Sequence, residues 1–324
     1  MNLKRIGIVL IVSVFILVIF QASASDKFPE KPIQLVVPFP PGGSADFIAR
    51  LLADNMHGKL GQPIVVLNKP GAGTSIATSY VGTSKPDGHT ILLTASGAFL
   101  ILPLVASDTP YKIGDFIPIG RAAFCSYVVA VNKSSSINNM QQLEDHIKKN
   151  PGAFSYGGST VAATQQLLGE LLKQRAKLDI QYIPQGGEMP NITALMGNHI
   201  LLGIFTLPTC LPHIRSGALR GIAVTSAKRD AFMPDIPTCV EQGFPEMIAL
   251  NNFILLAPVK TPSMVLKKLE STLEKTLQDK QLREKIEQTF QSVEFLNSKE
   301  TQNFLEAEGN KWAKVIKATG ISVK

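Results

Sequence analysis

The sequence predicts an α/β chain folded as two lobes, each a mostly parallel sheet flanked by helices. Three observations predict it. Short β-branched apolar runs alternate with helical-period segments, glycine bends join the two again and again, and the chain is long enough for two cores. It has 324 residues, 45% of them apolar, which exceeds the roughly 250–300 residues at which a single core stops growing.

The first unit sets the pattern. Ile33, Leu35, Val36 and Val37 form an apolar run that Pro38, Pro40 and Pro41 stop, because proline has no N–H for a sheet ladder. Gly42 and Gly43 permit a tight bend, Ser44 stands where an N-cap belongs, and Phe47, Ile48, Leu51, Leu52 and Met56 share one helical face. The first N–H groups of such a helix lack intrahelical partners and sit at the positive end of its dipole, so the bend is a seat for a carboxylate or phosphate.

A second strand is expected over Pro63 to Asn68, then a helix from Ser75 to Thr83 and a third strand over Thr90 to Ala95. The Gly71-Ala72-Gly73-Thr74-Ser75-Ile76 stretch fails as a dinucleotide fingerprint, because Ile76 stands where the third glycine belongs and no acidic residue closes a strand some 20 residues on. In a parallel sheet the loops Pro40 to Asp46 and Ala95 to Ala98 open on the same edge. Phe116 to Asn132 is too long for an ordinary strand and reads as a crossover between lobes. Beyond a helix over Asn138 to Lys149 and a strand over Phe154 to Tyr156, Gly157-Gly158-Ser159-Thr160 leads into helical spacing at Val161, Thr164, Leu167, Leu168, Leu171 and Leu172. That is a second anion seat by the same logic.

Strands follow at Leu178 to Ile183, Ile200 to Thr206 and Leu219 to Thr225, with helices around Met189 to Met196 and Leu207 to Arg215. Asn251 to Pro258 returns the chain to the first lobe, and three amphipathic helices close the sequence, the last carrying Trp312. The expected division is 1–24 as an export leader, 25–123 with 251–324 as lobe one, and 124–250 as lobe two. Lys4 and Arg5, the apolar run Ile6 to Phe20 and Ala22-Ser23-Ala24 fit a cleavable secretory signal, cut after Ala24 into the periplasm. The apolar run is shorter than the roughly 20 residues that span a bilayer.

The net charge of +7 drops to +5 once Lys4 and Arg5 are removed, and the remaining cations are dispersed, which is a solvated surface and not a nucleic-acid footprint. Cys125, Cys210 and Cys239 have no metal spacing, and export leaves a Cys210 to Cys239 disulfide open. There is no nucleophile elbow, no His-Glu-x-x-His and no phosphate loop, and the five histidines are scattered singly. Neither catalysis nor a cofactor or metal is expected. A triad assembled from distant residues leaves no local signature.

Phe28-Pro29-Glu30-Lys31-Pro32-Ile33, Pro41-Gly42-Gly43-Ser44-Ala45-Asp46, Leu60-Gly61-Gln62-Pro63, Asn68-Lys69-Pro70-Gly71-Ala72-Gly73, Pro86-Asp87-Gly88, Ala223 to Arg229 and Trp312 to Lys317 resemble the Bug-type extracytoplasmic solute receptors of tripartite tricarboxylate transporters. The resemblance covers the mature chain in order. It implies a periplasmic-binding-protein-like (type II) fold with a hinge of two crossover strands, closing as a monomer on a small organic acid for delivery to membrane permease subunits. Carried over residue by residue, it nominates Phe39, Gly43, Ser44, Ala45, Asp46 and Ser96 in the first lobe, and Thr160, Ala163, Thr164, Gln185 and Thr206 in the second. The sequence departs from the family at Val161-Ala162-Ala163, Gln185-Gly186, Thr206-Leu207 and Asn252, so the first-lobe seat matches and the second-lobe lining does not. A ligand sensor of the same fold and a hydrolase with a non-local triad are the alternatives.

Overall fold

The computed structural model describes residues 28–322, so the leader and its cleavage site lie outside the described residues. Nine strands form one mixed sheet in the order β2-β1-β3-β9-β4-β7-β5-β6, with β8 paired to β4. The first half holds β1 (Ile33–Val37), α1 (Ser44–Leu60), β2 (Ile64–Asn68), α2 (Ser75–Gly82), β3 (Thr90–Ala95) and α3 (Ser96–Val105). β1 is parallel to both β2 and β3, as the strand–helix alternation requires.

β4 runs from Phe116 to Asn132 as one strand. Its first part pairs antiparallel with β9 (Leu250–Pro258), from Phe116 opposite Pro258 to Ser126 opposite Leu250. From Tyr127 onward it pairs with β7 (Leu202–Thr206) and β8 (Leu219–Val224) instead. The crossover expected from its length is therefore an unbroken strand that belongs to both ends of the sheet. Register shifts after Pro118 and after Arg121 bend it along the way. The second half adds α4 (Met140–Lys149), β5 (Phe154–Gly157), α5 (Thr164–Ala176), β6 (Ile180–Tyr182), α6 (Glu188–Met196) and α7 (Leu207–Arg215). Helices α8 (Ser263–Leu277), α9 (Lys280–Glu287) and α10 (Ser298–Thr319) close the chain.

The apolar runs are buried on both faces of the sheet. Along β1, Ile33, Leu35 and Val37 pack under α1 and α8, while Val36 packs on the opposite face with Leu92 and Phe99. Along β4, Val129 and Val131 face one core and Val128 and Ala130 the other. Strands covered on both sides need no polar alternation, which is why they read as continuous apolar runs.

Two elements differ from expectation. α3 begins at Ser96 directly after β3, so the loop expected over Ala95 to Ala98 is the first turn of a helix. Its sequence is apolar all round and Phe99, Leu100 and Ile101 are buried, so it has no polar stripe for a periodicity reading to find. α5 begins at Thr164, a few residues after the spacing suggests, because Thr160–Ala163 form a turn with Ala162 at φ 60°.

α10 touches both halves: Leu305 lies in the core with Val36 and Phe99, whereas Trp312, Val315 and Ile316 lie in the core with Tyr156, Leu167 and Leu168. The Trp312 indole is fully buried and donates to Glu308 Oε2 at 3.0 Å. Truncation of an aromatic at such a site costs about 3–5 kcal/mol. Trp312→Ala is therefore expected to lose that much unfolding free energy, followed by far-ultraviolet circular dichroism in urea, since the chain has no other tryptophan.

Candidate functional site

The cleft is built by helix starts. A cavity of about 1260 Å³ is lined by the β1–α1 bend, the Pro70 to Thr74 turn, the beginning of α3, the β5–α5 turn, the β6–α6 bend and the end of β7. These segments follow the carboxyl ends of strands from both halves, the place where open α/β sheets hold ligands.

On the first side the N-cap is Gly43 and not Ser44 as expected: Gly43 is extended, Ser44 is already the first helical residue, and no side chain caps the helix. Gly42 reaches φ 86°, a region glycine enters freely. The bend is locked from behind by Asp46. Its carboxylate accepts from the Gly42 N–H at 2.9 Å, from Arg50 Nε at 3.0 Å and from Asn68 Nδ2 at 2.9 Å, and Asn68 also donates to the Phe39 carbonyl. With Asp46 turned back on the loop, the N–H groups of Ser44 and Ala45 have no protein acceptor among the described residues.

On the second side, the turn before α5 is pinned by Tyr182, whose hydroxyl accepts from the Ser159 N–H at 3.1 Å and donates to the Thr160 carbonyl at 3.0 Å. Burial pushes that phenol up to about 12, so it stays protonated and able to donate. The Thr164 and Gln165 N–H groups at the start of α5 likewise meet no protein acceptor among the described residues. Gly97 of α3 lies directly against Thr164, where a Cβ would sit 2.2 Å from Oγ1, so only glycine lets α3 and α5 approach this closely.

Of the residues nominated from sequence, Phe39, Gly43, Ser44, Ala45, Thr160, Ala163, Thr164 and Thr206 line this one cavity. Asp46, Ser96 and Gln185 do not. Asp46 supports the loop from inside, Ser96 is buried at the start of α3, and Gln185 is exposed on the β6–α6 bend.

Sequence reasoning missed Glu188. The β6–α6 bend repeats the strand–glycine–glycine–helix pattern at Gly186 and Gly187, with φ 78° and 156°, and Glu188 is the first residue of the helix that follows. Its carboxylate accepts from Gln165 Nε2 at 2.6 Å, from the Thr206 N–H at 3.0 Å and from the Thr206 hydroxyl at 2.7 Å. Burial raises its pKa above the ordinary glutamate value, and the donors of Thr206, Thr209 and Gln165 offset this only in part. The repeated Gly-Gly bend was the signal available; only the fold shows that this acid faces the other two bends.

Cys125, Cys210 and Cys239 are free and buried, so the disulfide that export left open is not formed here. Among the described residues no His, Cys, Asp and Glu cluster is arranged to hold a metal, and no helix is long and apolar enough to cross a membrane.

The family model for the tripartite tricarboxylate transporter family receptor matches residues 48–321. The chain belongs to that family. Protein BugT of Bordetella pertussis is 33% identical over the whole of both chains. The solved periplasmic binding protein BugD is 31% identical, with 92% of this chain and 100% of that one covered at a TM-score of 0.76. An R. palustris protein solved with adipate is 30% identical, with 91% and 99% covered at a TM-score of 0.80. The two-lobed α/β architecture is that of the receptors in this family, and the resemblance read from the sequence holds.

Asp46 gives the site a pH signature. Burial opposes its ionisation, but Arg50, the Gly42 N–H and Asn68 outweigh it and hold the carboxyl below its ordinary value. A depressed folded pKa contributes stability above the unfolded value that is lost as pH falls through the folded one. Asp46→Asn is therefore expected to cost about 1.5–3 kcal/mol at pH 7. The gap to the parent protein should close as pH drops below the ordinary aspartate range, in urea titrations between pH 7 and 3.

Proposed function

We propose that this chain is an exported, non-catalytic receptor that closes two lobes on a small carboxylate and hands it to the permease subunits of a tripartite transporter. The observation that carries the proposal is the convergence of the α1 and α5 starts on one cleft, each with N–H groups that no protein acceptor among the described residues occupies. The family supports it, as does the adipate held by the R. palustris relative. The lobes we assign are 25–123 with 251–324, and 124–250; they meet along β4 and β9. The leader ends at Ala24, and the receptor works as a monomer in the periplasm.

Backbone donors suffice for binding. Three or four hydrogen bonds to an ionised carboxylate, at about 1.5–3 kcal/mol each, total roughly 5–12 kcal/mol before ordering costs. Micromolar affinity needs about 8 kcal/mol. Of the nominated residues, Phe39, Gly43, Ser44, Ala45, Thr160, Ala163 and Thr164 form the seat in this reading, with Asp46 holding the first bend in shape. Closure reports occupancy because the ligand binds the closed arrangement better than the open one.

Ser44 offers a clean test, because proline is favoured at the first helical position and the extended Gly43 before it tolerates a following proline. Ser44→Pro deletes one N–H from the seat and leaves the helix intact. After a thermal-shift screen of organic acids, isothermal titration of the best hit should show about 10- to 100-fold weaker binding to Ser44→Pro at an unchanged melting temperature. Equal affinity would place the seat elsewhere, and turnover of the hit would overturn the non-catalytic reading.

A further inference from the structure

One residue in the cleft is out of keeping with a receptor for acids carrying a carboxylate at each end. Glu188 is the sole charged side chain among the described residues that line it; no lysine, arginine or histidine does. Nor does Glu188 form an ion pair on any other side among the described residues.

Its hydrogen bonds show how it is held. The Gln165 amide N–H and the Thr206 N–H point to Oε1, and the Thr206 hydroxyl points to Oε2. The Thr206 and Thr209 hydroxyl oxygens lie 2.9 Å apart, and either can be the donor. The two N–H groups on Oε1 offset part of the burial that raises the Glu188 pKa, and a cation placed against the carboxyl favours its ionised form. The Thr206 N–H, a second-lobe donor that could grip a distal ligand carboxylate, is already engaged by an acid of the protein itself. The lining also includes the apolar residues Phe39, Ile101, Leu102, Val161 and Met189.

We propose that Glu188 is a specificity-determining residue, selecting a carboxylate whose far end carries an ammonium group over one whose far end carries a second carboxylate. The proposal rests on the receptor reading above and adds the ligand's second end to it. The ligand's carboxylate takes the free N–H groups at the starts of α1 and α5, its hydrocarbon part lies against apolar side chains of the cleft, and its ammonium faces Glu188. A second carboxylate in that place meets a carboxyl group of the protein, no countercharge from the described lining and a Thr206 N–H already engaged. Discrimination of this kind works through the repulsive element as much as the attractive one.

Matched ligand pairs decide it. Each ω-amino acid from β-alanine to 6-aminohexanoate is titrated calorimetrically against the dicarboxylate in which a carboxylate replaces the ammonium, from succinate to pimelate. With the unaltered mature protein, the best-fitting amino acid is expected to bind at least about tenfold tighter than its partner. In Glu188→Gln, which keeps the size of the side chain, the preference should fall below about threefold. The first comparison needs no variant, so a folding defect in Glu188→Gln, monitored by circular dichroism, leaves the proposal exposed to refutation. Dicarboxylates binding as tightly as the amino acids would overturn the selectivity and leave the carboxylate receptor standing. An unchanged preference in a folded Glu188→Gln would likewise remove Glu188 from that role. Failure of all these acids and of simple monocarboxylates to bind would overturn both readings.

Discussion

A helix cannot satisfy its own first N–H groups, and this structure places several of those starts around one cavity. Everything else in the cleft follows from how each start is treated. At α1 the one nearby acid, Asp46, is drawn backward onto Gly42, Arg50 and Asn68, so it stiffens the bend and leaves the forward-facing N–H groups open. At α5 a tyrosine hydroxyl fixes the turn and again leaves the helix start unpartnered. At α6 the helix begins with an acid whose carboxylate reaches across to the end of β7 and engages the donors there. The same local device, a glycine bend before a helix, thereby gives two starts open to an anion and one occupied by an acid of the protein itself.

The sheet is what brings these bends together. β4 belongs to both ends of it, pairing with β9 up to Ser126 and with β7 and β8 beyond. A continuous strand transmits orientation without a loop, while α3 and α10 pack along both halves and limit how they sit against each other. Gly97 belongs to this constraint, since a side chain there would hold the α3 and α5 starts apart. The absence of a cation from the described lining makes backbone dipoles, not side-chain charges, the means of holding an acid.

The strands and most helices were legible because their apolar runs are bounded by proline and glycine and their helical spacing is regular. α3 was not, since a helix buried all round carries no stripe. Within the site, Phe39, Gly43, Ser44, Ala45, Thr160, Ala163, Thr164 and Thr206 were found from the bends and the family resemblance and do share one cavity. Asp46, Ser96 and Gln185 were carried over from the resemblance with the others but do not line that cavity, Asp46 because its carboxylate turns back onto Gly42, Arg50 and Asn68.

The sequence by itself determined the α/β class, the export-type leader pattern, the family and the glycine bends that precede three of the helices, because each of these is written in local residue order. Only the tertiary structure decided that the bends converge, that three cysteines stay apart as thiols, and that Glu188 stands in the wall with Thr206 donating to it. Those are distances between segments, Glu188 to Thr206 among them, and they are set by strand order and core packing, which no local pattern encodes.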